Sequence, residues 1–388
     1  MPRLRELPRA GLAVGWGDLR AAWRRRDRAA AELPAAFSRW LGVEGARVAS
    51  SGRAALCLTL RALADGSARR RVIVPAYTCP TVPLAVARAG LEVELCDVDP
   101  ASANLDPELL GECLGPQTLA VVAVHMNGIP CELDAILARA REAGAAVIED
   151  CAAAAGATLH GRPVGSFGDA AFFSLARGKG FTAYAGGVGV GRIWKEGAEG
   201  EVAPGAELLT LARLLALVLF FHPRRYWALR RLPLGWENEV YAPGFPLGGM
   251  GALRQGVALS VLERLDRVVA ERRERARYLE RRLRGLAGVC LLVPPPDSDP
   301  CWPWLPLLVG RRDEAVRRLR AEGLGASPLF TRSLDDYEYL RGVVPAGSYP
   351  VARSLAGRLM SLPTHCHVTA RDLDRMVDVL GALEHTKA

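Results

Sequence analysis

The stretch VIEDCAAAAGATLHGRPVGSFGDAAFFSLARGKGFTAYAGG (residues 147–187) decides the fold. It begins within AAVIEDC (145–151), an apolar run ending in two carboxylates, which reads as a β-strand covered on both faces. Open α/β sheets bind ligands at the carboxyl ends of their parallel strands, and Asp150 stands at such an end. A buried carboxylate there requires a cationic partner or a proton. A protonated pyridine nitrogen is one such partner, and the protonated ring is an electron sink for carbanion chemistry. The alternative is an aspartate that caps the following turn. Further on, Lys179 lies between two glycines in FFSLARGKGFTAYAGGVGVG (172–191), after a buried strand and before a glycine-rich return. Glycine removes bulk and permits positive φ. A lysine held in a partly desolvated pocket can form a Schiff base. The alternative is a solvated turn lysine.

Upstream, SSGRAAL (50–56) is a strand-to-helix turn whose small residues let backbone N–H groups approach a phosphate at a helix N-terminus; a plain serine N-cap explains it equally well. Around it, short apolar runs alternate with helical periodicity. ARVAS (46–50), RRVIVPAY (70–77), LEVELCDVD (91–99) and TLAVVAVHM (118–126) read as strands. TVPLAVARAG (81–90) and CELDAILARAREAG (131–144) read as helices, and 18–42 is helical. This alternation predicts an α/β fold with a mainly parallel sheet and helices on both sides. Beyond about residue 245 the character changes. Residues 251–286 follow one long amphipathic helical pattern whose arginines read as a solvated face, followed by a strand at CWPWLPLLV (301–309) and helices at 312–323 and 370–384. The expected organisation is a helical segment (1–45), a large α/β domain (46–245) and a smaller α+β domain (246–388).

The length of 388 residues suits two domains. The formal charge is +8, and residues 1–30 carry eight arginines against Glu6, Asp18 and Asp27. Such a segment suits nucleic acid, an anionic membrane or an acidic substrate, or is simply a solvated basic helix. No zinc-finger spacing or aromatic-interleaved basic stripe points to nucleic acid, and no metal site is expected. Nine scattered cysteines without a CxxC pair argue for reduced thiols and a cytoplasmic protein. The start, MPRLRELPRAGLAVGWGD, lacks the apolar core of a signal peptide. LLTLARLLALVLFF (208–221) is too short to span a bilayer. With the basic, aromatic HPRRYWALRR (222–231) after it, the stretch reads as a buried or dimer-interface helix, or as a weak membrane-surface contact.

The order of these features, SG turn, strand-end Asp, then F-S-x4-K, resembles the DegT/DnrJ/EryC1/StrS family of pyridoxal-phosphate (PLP) sugar aminotransferases of fold type I. SSGRAALCLTLRAL resembles the family's SGT-x-AL-x-x-AL, VIVPAYTCPTVPLAV its strand-and-turn segment, and VHMNGIPCELDAI its H-x-Y-G-x-P-x-x-M-D-x-I. The longest match is the quoted 147–187 stretch, which resembles V-I-E-D-x-A-Q-A-x-G through F-S-F-x-x-x-K to G-E-G-G. Similarity spans about residues 45–385. The resemblance implies a large domain with a mainly parallel seven-stranded sheet, a smaller α+β domain, pyridoxal 5'-phosphate as cofactor, and a homodimer with active sites at the subunit interface.

It also implies site residues. Lys179 would form the Schiff base and shuttle protons; Asp150 would pair with the pyridine nitrogen; Ser174, Gly52 and Arg53 would hold the phosphate. His125 would lie near the cofactor at a strand end. Apart from the resemblance, Tyr77 or Tyr184 is available to supply a stacking face toward ring or substrate. The sequence departs from the family pattern where the ring-stacking aromatic is Cys79, the glutamine is Ala153, the glutamate of GEGG is Ala185, and the N-Y-R-M segment is LGGM (247–250). These changes remove cofactor-orienting contacts and leave the lysine–aspartate pair. The implied activity is transfer of an amino group from an amino acid such as glutamate to a keto-sugar, usually nucleotide-linked, in polysaccharide or natural-product biosynthesis. The alternatives are a PLP-fold protein with a non-transaminating, regulatory or binding role, and a membrane-associated protein acting on a lipid-linked substrate.

Overall fold

The computed structural model describes residues 5–11, 13–194, 206–229 and 244–383; Arg230 and Arg231 of the basic segment lie outside these. The chain opens with α1 (Trp16–Arg25) and α2 (Ala29–Leu41), then β1 (Ala46–Ala49), α3 (Gly52–Ala64), β2 (Arg71–Pro75), α4 (Thr81–Arg88), β3 (Glu92–Cys96), α5 (Pro107–Cys113), β4 (Thr118–Val124), α6 (Leu133–Glu142) and β5 (Ala146–Asp150). A two-residue hairpin, β6 (Thr158–Leu159) and β7 (Arg162–Pro163), precedes β8 (Ala170–Ser174) and β9 (Gly187–Val190). Then follow α7 (Ala206–Phe220), α8 (Pro223–Leu229), α9 (Ala252–Leu262), α10 (Leu265–Leu283), β10 (Val289–Leu291), β11 (Ser298–Asp299), β12 (Trp304–Val309), α11 (Arg312–Ala321), β13 (Ser327–Pro328), α12 (Pro350–Arg358), β14 (Leu359–Pro363) and α13 (Ala370–Gly381).

The main sheet has seven strands in the order β1-β9-β8-β5-β4-β2-β3. β2, β3, β4, β5 and β8 pair in parallel, and only β9 runs against its neighbours. Every residue of β4 is buried. Alternate side chains explain this: Ile73, Val121 and Ala123 face Leu133 and Ile136 of α6, whereas Val72, Val74 and Val122 join Leu56 and Leu60 of α3 on the other face. The fold is therefore that of a PLP fold type I enzyme, with an antiparallel four-stranded sheet, β10-β12-β14-β13, formed by the later residues.

The single helical pattern expected over 251–286 is two helices. The chain turns at Arg264 (φ −123°, ψ 15°). The turn serves two packings. α9 lies on α1, where a Cβ at Gly256 would approach the Ala22 Cα to 2.7 Å. α10 redirects Leu265 and Val269 onto Gly156. Buried Asp18 fixes the corner, accepting hydrogen bonds from Ser260 Oγ at 2.7 Å and Arg264 Nη2 at 2.6 Å. The strand expected at 301–309 begins at Trp304, because Trp302 takes φ +44° and Pro303 follows. Among the described residues no helix is long and apolar enough to cross a membrane.

Candidate active site

The carboxyl ends of β2, β4, β5 and β8 converge on one edge of the sheet, bringing Tyr77, His125, Asp150 and Ser174 to the same side. Glu149 and Asp150 are consecutive on β5, so they point to opposite faces. Glu149 is fully buried. Its Oε1 accepts from the N–H groups of Phe167 and Gly168, both at 2.7 Å, and its Oε2 from Gly165 N at 2.6 Å. His125 Nδ1 accepts the Cys131 N–H at 3.0 Å, so Nε2 carries the proton and donates it to Glu149 Oε2, also at 3.0 Å. Burial alone would raise the Glu149 carboxyl, but His125 and the backbone donors hold it below the usual carboxylate range. Both ring nitrogens of His125 are thus engaged within the protein. Cys151 lies close to this pair, but the Glu149 oxygens already hold donors.

Asp150 is arranged differently. It is 4% exposed, and Oδ1 accepts the Ala152 N–H at 2.9 Å. Oδ2 accepts no hydrogen bond among the described residues. Burial pushes its carboxyl up, and the Ala152 N–H and the nearby charge of Lys179 pull against that. Lys179 is half-buried, in the hairpin between β8 and β9. The hairpin is closed by Leu175 N–H to Gly186 O (2.9 Å), Ala183 N–H to Leu175 O (3.0 Å) and Arg177 N–H to Tyr184 O (3.1 Å). Gly178 takes φ +80°, a conformation glycine adopts without strain.

The arginines of 251–286 are not all solvated. Arg272 is 3% exposed, and its Nη2 donates to Gly180 O at 2.6 Å, pinning the residue after Lys179. A Cβ at Gly180 would come within 2.6 Å of Arg272 Nη1, so the small residue is needed for the approach. Desolvation lowers the Arg272 pKa from its ordinary value. Nothing in the periodicity singles out Arg272 from its exposed neighbours; only the break at Arg264, which turns this face inward, does so.

At the start of α3, Ser51 Oγ caps the Ala54 N–H at 3.2 Å. A Cβ at Gly52 would lie 2.7 Å from Ser174 Cβ, so the helix N-terminus and Ser174 meet in a close cradle. Arg53 does not turn into this cradle: its guanidinium lies 4.8 Å from the Phe245 ring centroid, with Arg88 at 5.0 Å from the same ring. Gly248, in the segment that replaces N-Y-R-M, accepts the Ser50 N–H at 2.6 Å. Tyr77 is 1% exposed, donates its hydroxyl to Phe330 O at 3.0 Å and meets the Phe330 ring edge-on, so it is a core residue with no face open to a ligand. Cys79 Sγ is 3.0 Å from Thr81 Oγ1. The Ala153 carbonyl accepts from Cys301 Sγ at 3.3 Å. Tyr184 is half-buried at φ +77°, with Arg177 and Arg213 at 5.2 and 6.0 Å from its ring.

The profile of the DegT/DnrJ/EryC1/StrS aminotransferase family matches residues 18–192 and 243–381. The chain is 31% identical over 333 residues to the erythromycin biosynthesis sensory transduction protein EryC1 of Saccharopolyspora erythraea, covering 86% of this chain and 84% of that protein. It is 29% identical over 361 residues to the GDP-perosamine synthase of Caulobacter vibrioides, covering 90% and 88%. Among solved structures it is similar to DesV of S. venezuelae, with a TM-score of 0.77, 27% identity and coverage of 96% of this chain and 95% of that one. 3-Amino-5-hydroxybenzoic acid synthase shares the fold, with a TM-score of 0.78 at 23% identity, covering 99% and 100%.

Proposed function

Because the chain belongs to the DegT/DnrJ/EryC1/StrS aminotransferase family, whose members are PLP-dependent sugar aminotransferases, we propose that it moves an amino group from glutamate to the ketone of a nucleotide-linked sugar, with Lys179 and Asp150 as its working pair. The observation that carries this reading is Asp150: a buried carboxylate at a strand end, with one oxygen lacking a donor and a lysine close enough to act on it. That environment fits a pyridinium, since a buried anion is stable only beside a cation or a proton. The cradle of Gly52 and Ser174 at the N-terminus of α3 fits a phosphate, which helix N-termini bind through their free N–H groups.

Pyridoxal phosphate, when bound, supplies the electron sink for charge developing on the carbon that bears the nitrogen. Asp150 Oδ2 would hold a proton at the pyridine nitrogen. Lys179 Nζ would carry the Schiff base and move a proton on and off the reacting carbon as general acid and base. Ser174 Oγ and the Gly52 N–H would fix the phosphate. Arg272, through Gly180, would hold the lysine hairpin. Glu149 keeps His125 fixed behind Asp150 by the bonds described above. Tyr184 is left as the aromatic residue facing substrate, with Tyr77 and His125 supporting the site from the core. We place this enzyme in the cytoplasm as a homodimer, residues 46–245 and 246–388 forming its large and small domains.

A binding or regulatory role without turnover is the second reading. Cys79, in place of a ring-stacking aromatic, favours it, because Tyr77, the aromatic two residues before it, is closed off in the core. One experiment separates the two. Purified protein should be yellow, borohydride should attach the cofactor to Lys179 by peptide mass spectrometry, and glutamate should bleach the visible absorbance. Labelling without bleaching would leave the second reading standing; no labelling would end both assignments of Lys179.

A further inference from the structure

We propose that α1 and α7 together form a docking face for an anionic phospholipid bilayer, on which the protein lies peripherally. The inference starts from α7. Its sequence, AELLTLARLLALVLF, is apolar apart from Glu207, Thr210 and Arg213, a pattern that calls for cover on more than one side. Cover is incomplete: Leu214 and Leu217 are buried, but Leu209 is 52% and Phe220 39% exposed. At 15 residues the helix is too short to span, so an apolar medium could meet it only along its side.

α1 supplies the second half. Asp18 and Ala22 face α9, whereas Trp16, Arg20, Trp23 and Arg24 share the outward face at helical spacing. Trp16 is 57% and Trp23 53% exposed, unusual for the largest apolar side chains. The two helices are continuous as a surface. An apolar cavity of about 300 Å³ runs between them, with Trp16 on one wall, Leu217, Val218 and Phe221 on the other, and Arg225 at its rim.

Charge selects the occupant. A second copy seated on this face by a two-fold axis would bring Arg20, Arg24, Arg224 and Arg225, all exposed, toward their own images. The exposed carboxylates beside α1 are already paired, Asp27 with Arg26 at 3.6 Å and Glu263 with Arg25 at 2.5 Å. Anionic headgroups would meet the same arginines favourably, while tryptophan rings sit at headgroup level and leucine and phenylalanine enter the acyl boundary. Arg213 of α7 lies 6.0 Å from the ring of Tyr184. The docked face therefore borders the hairpin that carries Lys179.

The test uses the full chain and does not depend on the amino acceptor. Flotation with vesicles of mixed phosphatidylglycerol and phosphatidylcholine should carry the protein upward, and phosphatidylcholine vesicles should not. An arginine near an anionic surface contributes about fivefold in affinity, so Arg20→Ala with Arg24→Ala should weaken binding roughly 25-fold. Trp16→Ala with Trp23→Ala should abolish the blue shift of tryptophan emission on binding. These side chains are exposed, so both variants should melt with the parent. Failure to float, equal binding to both vesicles, or binding indifferent to the arginine pair would overturn the proposal. So would a tryptophan variant that floats normally but converts a dimer to a monomer, which would give the face to a second copy.

Discussion

Replacing Glu149 with glutamine tests the scaffold beneath the site. The carboxylate holds two donors on each oxygen: Phe167 and Gly168 on Oε1, Gly165 and His125 on Oε2. In either orientation the glutamine amide turns an N–H2 group toward two donors, so two hydrogen bonds to a charged acceptor are lost. At about 1.5–3 kcal/mol each, the cost is roughly 3–6 kcal/mol. Unfolding entropy near 2.1 cal/mol/K per residue gives about 0.8 kcal/mol/K for this chain length, so the melting temperature should fall by about 4–7 °C. Calorimetry on the cofactor-free protein measures it. The sign of the pH dependence follows from the depressed carboxyl. Its contribution is present above the unfolded value of about 4.3 and is lost as pH falls through the lower folded value. The gap between parent and variant should therefore be full at neutral pH and close only in acid. A variant melting within about 2 °C of the parent at neutral pH would refute the four-donor account.

Asp150→Asn removes the charge facing the pyridine nitrogen; breaking a buried pair costs about 3–5 kcal/mol, so cofactor affinity should drop roughly 10²–10⁴-fold in an absorbance titration, and unchanged affinity would count against the assignment. Arg272→Ala should free the Gly180 carbonyl, raise proteolytic cleavage around 177–180 and slow borohydride trapping at Lys179, with partial recovery in Arg272→Lys. Gly52→Ala should push Ser174 aside, weakening binding of free phosphate and cofactor together and also lowering the melting temperature of the cofactor-free protein; loss of stability with unchanged phosphate and cofactor affinity would place Gly52 in the core instead.

The strands, and the position of Asp150 at the end of one of them, were legible because they rest on local pattern. β4 and β5 are continuous apolar runs, which only a sheet covered on both faces accommodates, and Asp150 is the last residue of one of them. What was hidden depends on contacts between distant segments. Tyr77 looked available beside the site, yet its hydroxyl is taken by Phe330, 253 residues away. Arg53 looked like a phosphate ligand, yet Phe245 receives it. The turn at Arg264 is set by Asp18, and without it the inward face of α10, with Arg272, cannot be told from a solvated one. Glu149 had a readable sign: adjacent acids on a strand must face opposite ways, so one of them needs partners inside the protein.

Among the described residues β1 has a single hydrogen-bonded neighbour, β9, which enters the sheet antiparallel between β1 and β8. During synthesis, residues 46–49 leave the ribosome long before 187–190, and in that interval neither β1 nor the edge of β8 has its partner. A nascent chain halted before Gly187 would carry two open strand edges, which are templates for association between chains. The lysine hairpin is the link that delivers β9, so the same short segment that bears the reactive amine also closes the sheet.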